Sequence, residues 1–359
     1  MQKLIFAVVT LVAISSMLIS EVSANVETYS NRYVELTLER YDDAVITIGV
    51  IENGEASYYV YTPDSQEESG DVYQYEIGSI TKTFNGILTA RAILDDKMSL
   101  DDTIDEHLDL EAESDFPTVE QLLTHTSGYA RMYAAPRESG NRNNPFSGIS
   151  RTELREQAER FVSTRGFYNY SNFGVALLGL VLEEVEEQPY QDLVESLFDE
   201  FDMVNSEVYS QTEILDIEEN WVWRDDDAYI PVGAIISDVN DMLNYLQVNI
   251  DSTNEAVALS HTQLESLDIT PQRMKDLVIN FDALGYQWRI DEENDIYFHS
   301  GQTSDYGSYL AFNKDEEVGV IVMINTPPAR DPSLPVLIGT LIMQDLLGIE
   351  VENGVVESD

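Results

Sequence analysis

Tyr75-Glu-Ile-Gly-Ser-Ile-Thr-Lys-Thr-Phe84 leads directly into helix formers and apolar residues that run to Leu94. A serine at a helix start with a lysine three residues on puts a hydroxyl and an amine on one face, a turn apart. A serine hydroxyl is a weak nucleophile unless a base lies within hydrogen-bond reach, and a lysine that has lost its proton can serve. Lysine is scarce, with Lys3, Lys82, Lys97, Lys275 and Lys314 the full set in 359 residues. Taken singly, Ser79 would be a helix N-cap and Lys82 a surface residue. The surrounding chain has to decide between the two.

Upstream of this stretch, Val26 to Tyr41 has helical spacing of apolar residues, and two short apolar runs follow, Ala44–Ile51 and Ala56–Tyr61. Asn53-Gly54 between them predicts a hairpin. An acidic loop, Pro63–Gly70, leads into Tyr73–Ile77. Downstream, Leu154–Phe161, Val175–Glu187, Tyr190–Phe201 and Asp238–Val248 carry apolar residues at helical spacing. The Gly-, Pro-, Asn- and Arg-rich segment Tyr129–Ser150 reads as a long loop. The period then switches. Gly285–Ile290, Asp295–His299, Ser308–Phe312 and Gly319–Asn325 predict consecutive antiparallel strands, with a turn at Asn313–Glu316 and a closing helix over Pro335–Leu347.

Strands at both ends and helices between them predict an α/β (α+β) fold. One antiparallel sheet is built from both ends of the chain and flanked by N- and C-terminal helices, and a mainly helical domain is inserted. The expected division assigns residues 25–78 and 283–350 to the sheet domain and 79–282 to the helical one, with an acidic tail over 351–359.

Composition narrows the function. Lys3 is the only charge before the apolar run Leu4–Ile19, and Val22-Ser-Ala24 offers a small-residue cleavage site. This predicts a signal peptide over 1–24, a mature chain from Asn25 and a secreted or extracytoplasmic protein; an uncleaved anchor is the alternative. With no cysteine, disulfides and thiolate catalysis are excluded. Sixty-seven acids against 19 bases give a net charge of −48, which disfavours nucleic acid and anionic membrane as partners. The acids are spread along the chain, as at Asp64–Asp71, Asp105–Asp115 and Glu183–Glu187, and read as a solvated surface suited to high salt or high pH. Such a field is expected to hold protons on buried bases and to make activity alkaline and salt-dependent.

Two further motifs follow Ser79-x-x-Lys82, namely Tyr170-Ser171-Asn172 before an apolar helix and His299-Ser300-Gly301 at a strand end. With these the chain resembles the serine β-lactamase-related hydrolases, a group that includes class C β-lactamases, D-Ala-D-Ala peptidases and esterases. The family's marks are S-x-x-K, Y-x-N and K-T-G or H-x-G, in that order. Leu122-Leu-Thr-His-Thr-Ser-Gly128, Phe167–Gly174 with Leu177-Leu-Gly179, and Gly301–Phe312 are similar to further family segments, so the resemblance spans Val26 to Leu347.

The resemblance implies roles. Ser79 would attack a carbonyl, and Lys82 would take its proton directly or through Tyr170. Asn172 would orient Lys82 and hold a substrate amide. The backbone N–H groups of Ser79 and Gln302 would form the oxyanion hole, and Gly301 would let the strand backbone approach the acyl group. Tyr170 is the candidate base for deacylation. Class C enzymes carry lysine where this chain has His299, a mostly neutral side chain at pH 7. That favours a D-Ala-type peptidase or an esterase over a β-lactamase. Arg289, or Arg131, Arg137 or Arg142 in the long loop, would supply the missing positive charge. The substrate is then a small peptide, ester or β-lactam, or cell-wall material.

A penicillin-sensing or wall-docking protein without turnover is the rival, and loss of Ser79, Lys82 or Tyr170 would have favoured it. His125 reads as a helix-end residue complementing exposed carbonyls, and His107 and His261 show no partner. Four histidines and no H-E-x-x-H predict no metal and no cofactor.

Overall fold

Asn53 and Gly54 both sit at positive φ, 54° and 75°, the type I′ geometry whose twist matches that of the strands it joins. They link β1 (Ile46–Glu52) to β2 (Glu55–Tyr61) with Glu52 opposite Glu55. The computed structural model describes residues 32–68, 70, 72–111, 115–133, 144–160, 166–208, 221–267, 280–325 and 333–349. The expected signal segment 1–24, the tail 351–359, Arg137 and Arg142 lie outside the described residues.

The remaining strands are β3 (Gln66–Glu68), β4 (Tyr75–Glu76), β5 (Glu207–Val208), β6 (Ile235–Ser237), β7 (Glu265–Ser266), β8 (Ala283–Leu284), β9 (Arg289–Asp291), β10 (Ile296–Gln302), β11 (Gly307–Asn313) and β12 (Val318–Ile324). Among the described residues, seven of these join β1 and β2 in a nine-stranded antiparallel sheet ordered β3-β2-β1-β12-β11-β10-β9-β8-β7. β1 pairs with β12, Ile46 opposite Ile324, so both ends of the chain meet in one sheet. Side chains alternate between its faces. Val318, Val320, Val322 and Ile324 join Val34 and the Leu334–Leu346 helix on one side. Ile321 and Met323 join the Val239–Asp251 helix on the other.

Two details depart from the sequence reading. Gly285–Ile290 is not one strand: Gly285 N–H bonds to Trp288 C=O at 3.0 Å and Gln287 takes φ 67°, so a tight turn separates β8 from β9. β7 joins the sheet from residue 265, within the segment read as helical, and β4-β6-β5 form a separate small sheet.

The Thr81–Leu94 helix is buried on almost every side, as expected of a central core helix. It packs against the helices Asn172–Glu186, Tyr190–Glu200 and Ile230–Gly233, and Phe84 stacks on Tyr245 with centroids 4.1 Å apart. This packing holds Lys82, Asn172 and Val232 in fixed relation.

Candidate active site

Ile77 joins two sheets. Its N–H bonds to Ile235 C=O at 3.1 Å, and its carbonyl accepts from Ser308 Oγ at 2.8 Å. A Cβ on Gly301 would fall 1.9 Å from that carbonyl, and one on Gly78, at φ +50°, would fall 2.6 Å from Gln302 N. Real Cβ atoms do not approach backbone so closely, so both positions need glycine. The contacts press residues 77–79 against the end of β10, bringing the backbone at Ser79 beside that at Gln302. Gly78–Ile80 forms a 3₁₀ turn that runs into the Thr81–Leu94 helix without any side-chain cap. The Ser79 hydroxyl therefore does not cap this helix.

Its partner is Lys82, whose Nζ donates to Ser79 Oγ at 2.8 Å and to Val232 C=O at 2.6 Å. Lys82 is fully buried, and burial, reinforced by Arg131 and Arg289 and opposed by Tyr170, lowers its pKa to about 8. An amine with this pKa is partly neutral near pH 7. Once neutral it can keep its bond to Val232 and turn its lone pair to the Ser79 hydroxyl.

Tyr170 sits immediately before Ser171, which caps the Asn172–Glu186 helix by accepting from Gly174 N–H at 2.9 Å. Three cationic groups surround its ring: Lys82 Nζ, Arg131 Cζ and Arg289 Cζ lie 5.4, 5.1 and 5.3 Å from the centroid. Burial raises the phenol pKa. The charges of Lys82 and Arg289, with hydrogen bonds from Ser79 and Lys82, outweigh that and leave it below the ordinary value. Ser79, Tyr170, Asn172, Arg289, Ser300, Gly301 and Gln302 all line one cleft of about 790 Å³.

The sequence model of the Beta-lactamase family matches residues 34–339. The chain belongs to the Beta-lactamase family. Protein flp of Staphylococcus aureus (strain N315) is 21% identical over 339 residues, covering 87% of this chain. The chain spans 66% of that relative's length. Among solved structures, a Beta-lactamase/D-alanine carboxypeptidase from Yersinia pestis aligns with a TM-score of 0.71 at 16% identity, covering 90% of this chain and 99% of the other. The octameric penicillin-binding protein homologue from Pyrococcus abyssi aligns with a TM-score of 0.69 at 21% identity, covering 91% and 77%. At such identities the structural likeness establishes the fold.

Within this family fold several expectations change. Asn172 does not orient Lys82. Val232 C=O holds the amine, and Asn172 Oδ1 is buried without a hydrogen-bond partner among the described residues. His299 is fully buried behind the cleft wall, which Ser300, Gly301 and Gln302 form in its place. Its Nδ1–H donates to Ser300 C=O at 3.0 Å, and burial with the charges of Arg289 and Lys82 keeps the ring neutral. Gly301 lines the cleft and is also needed for the crossing of Ile77.

His125 does end a helix. It lies at φ 57°, and Thr126 N–H reaches back to Gln121 C=O at 2.9 Å, the Schellman pattern. It is no cation for the dipole, however, because burial holds it neutral. Its Nδ1 accepts from Ser171 N–H at 3.2 Å and its ring lies 4.5 Å from that of Tyr170, so it buttresses the tyrosine. His107 and His261 do have partners, Asp102 at 3.0 Å and Asn249 at 2.9 Å.

Local surroundings shift both bases downward: burial, with nearby Arg131 and Arg289, lowers Lys82, whereas burial raises Tyr170 and the charges of Lys82 and Arg289 outweigh it. Sequence reasoning missed Val232, a carbonyl with no side-chain signal, and the Trp221 wall of the cleft. Of the candidate cations, Arg289 and Arg131 reach the cleft. Among the described residues no three His, Asp or Glu side chains gather as a metal cage.

Proposed function

We propose that this chain is an exported serine hydrolase working through an acyl-enzyme on Ser79, as a D-Ala-type, carboxypeptidase-like peptidase or as an esterase. The observation that carries this is the 2.8 Å hydrogen bond between Ser79 Oγ and a buried Lys82 amine whose pKa lies at about 8. Neutral Lys82, or the Tyr170 phenolate beside it, takes the Ser79 proton as Oγ bonds to the substrate carbonyl carbon. The N–H groups of Ser79 and Gln302 stabilise the oxyanion. The C–N or C–O bond then breaks, and the leaving group takes the proton. Water loses a proton to the Tyr170 phenolate and attacks the acyl carbon, the carbon–Oγ bond breaks, and Ser79 Oγ takes the proton back from Tyr170.

Asn172 Oδ1, buried and unpartnered among the described residues, is an acceptor for a substrate amide N–H. Arg289, 8% exposed and donating to Ser300 Oγ at 3.1 Å, faces the cleft as a cation for a substrate carboxylate. A D-Ala terminus and a β-lactam both carry that carboxylate, which keeps β-lactamase as a second reading. Export rests on the apolar run Leu4–Ile19 and Val22-Ser-Ala24.

The test is a panel on the purified protein comprising a short-chain p-nitrophenyl ester, a D-Ala-D-Ala peptide and a chromogenic cephalosporin. Turnover of ester or peptide that vanishes in Ser79→Ala is expected. A covalent adduct on Ser79 without turnover would make this a penicillin-binding or sensing protein. Turnover that survives Ser79→Ala would refute the mechanism.

A further inference from the structure

Among the described residues twenty line the cleft and none of them is acidic, in a chain with 67 acids against 19 bases. Two of the twenty are arginines, Arg131 and Arg289. With Lys82 they place three cationic groups 5.1, 5.3 and 5.4 Å from the centroid of one ring, that of Tyr170. Among the described residues Arg91, Arg151 and Arg155 pair with Glu200, Glu183 and Glu184, but no carboxylate pairs with Arg131 or Arg289. Both are held in place by other means. The Arg131 C=O accepts from the N–H groups of Asn172 and Phe173 at 3.0 and 3.3 Å. Arg289 hydrogen-bonds to Ser300 Oγ at 3.1 Å and to Tyr168. A guanidinium has five N–H donors in a planar fork, so each keeps donors for a ligand. Clustered cations with no acid beside them attract an anion, and the walls of a cleft focus that field.

We propose that Arg131 and Arg289 together select leaving groups with two acid groups: Arg289 takes the terminal carboxylate and Arg131 a second, side-chain carboxylate, as in a C-terminal aspartate or glutamate. This names a substrate class for the acyl-transfer reading and rests on it. On that reading the proton reaches the leaving nitrogen from Tyr170, or from Lys82 beside it, as the C–N bond breaks. Groups packed round the Tyr170 ring therefore surround the leaving group rather than the acyl chain. The two arginine distances cap the guanidinium separation at roughly 10 Å, and each carboxylate–guanidinium contact spans about 3 Å. One short dicarboxylate can bridge that gap. A single carboxylate would leave one guanidinium and the Lys82 charge without a counter-ion. The net charge of −48 opposes approach of a dianion at long range, but salt screens that field far more than it screens direct contacts.

The test compares two peptides, acetyl-Lys-D-Ala-D-Asn and acetyl-Lys-D-Ala-D-Asp, which share a shape and differ in one charge. The released amino acid gives kcat/KM, which reports on acylation, the step in which the leaving group is still present. The D-Asp peptide should be favoured about tenfold, the size of one charge-assisted hydrogen bond. Arg131→Met should bring the ratio to about one, and any effect on Lys82 is common to both peptides and cancels. Arg131→Gln serves if the Met variant fails to fold. Arg131→Lys, which keeps the charge, should retain a preference for D-Asp, as a merely structural role would not require. If neither peptide is hydrolysed, calorimetric binding of both to Ser79→Ala decides. The D-Asp peptide should then bind about tenfold more tightly, and adding Arg131→Met should remove the difference. Equal handling of the two peptides, a preference that Arg131→Met leaves in place, or no binding of either at millimolar concentration overturns the proposal. Absence of turnover with the binding preference intact would count against the hydrolase reading alone.

Discussion

Replacing Arg289 by methionine should slow the proposed acyl transfer at neutral pH by raising the pKa of its proposed base, Lys82. Arg289 Cζ and Lys82 Nζ lie 5.3 and 5.4 Å from the centroid of the Tyr170 ring. These two distances cap their separation at roughly 11 Å, and two like charges that far apart at an effective dielectric of about 20 repel by about 1.5 kcal/mol. That energy corresponds to about one pKa unit. With Lys82 at about 8, about 9% of the amine is neutral at pH 7, and a shift of about one unit cuts this to about 1%. The sign follows from the chemistry: the neutral amine is the base, and removing a nearby cation favours its protonated form. The assay is kcat/KM for p-nitrophenyl acetate from pH 6 to 10, because an acyl donor without a carboxylate reports no loss of ionic binding. The wild type should rise to a plateau with its midpoint near pH 8. Arg289→Met should rise about one unit later, be about tenfold slower at pH 7, and converge on the wild type above pH 10. A midpoint that stays at 8 in the variant would show that Arg289 does not tune the base and would refute the reasoning.

Gly301→Ala should destabilise the fold by about 3 kcal/mol, because its Cβ would sit 1.9 Å from the Ile77 carbonyl; urea denaturation showing a loss below about 1 kcal/mol would contradict this. Asn172→Leu should lower turnover of an amide substrate yet leave the pH midpoint of ester hydrolysis near 8, since Lys82 is held by Val232; a displaced midpoint would restore the orienting role to Asn172. Glu76 is a carboxyl raised to about 7 in the fold, so the unfolded chain holds fewer protons there between pH 4.5 and 7. Its contribution is full below the unfolded value and declines as pH rises to 7, by about 3 kcal/mol relative to Glu76→Gln; chemical denaturation of both forms across that range checks the slope. Changing salt from 0.1 to 1 M should move the pH midpoint of ester hydrolysis by less than about 0.3 units, because salt screens distant surface charges far more than buried neighbours; a larger downward move would return control to the net charge.

Much of the fold was legible in the chain itself. The short apolar runs around Asn53-Gly54 and the change of period near the other end predicted a hairpin and strands that the structure contains. The failure at Gly285–Ile290 has a local cause. An apolar run broken by Gly285 can extend or turn, and the positive φ at Gln287 is visible only once β8 and β9 pair. At the site, Ser79, Lys82, Tyr170 and Asn172 were legible as side-chain types at set spacings. Val232 was not, because its contribution is a backbone carbonyl that any residue could supply. His299 was legible by position, but alternation along β10 turns its ring inward, 6.4 Å from that of Tyr170, and leaves the cleft surface to Ser300.

By itself the sequence determined which groups can react: a hydroxyl, an amine and a phenol, in a chain without cysteine and rich in acid. Those are covalent properties, and no folding changes them. What the amine and phenol do near neutral pH was decided by tertiary structure. Their proton affinities depend on burial and on which charges stand within a few ångströms. Lys82, Tyr170, Arg131 and Arg289 become neighbours only when the strand end at Gly301 crosses Ile77 and the two central helices pack.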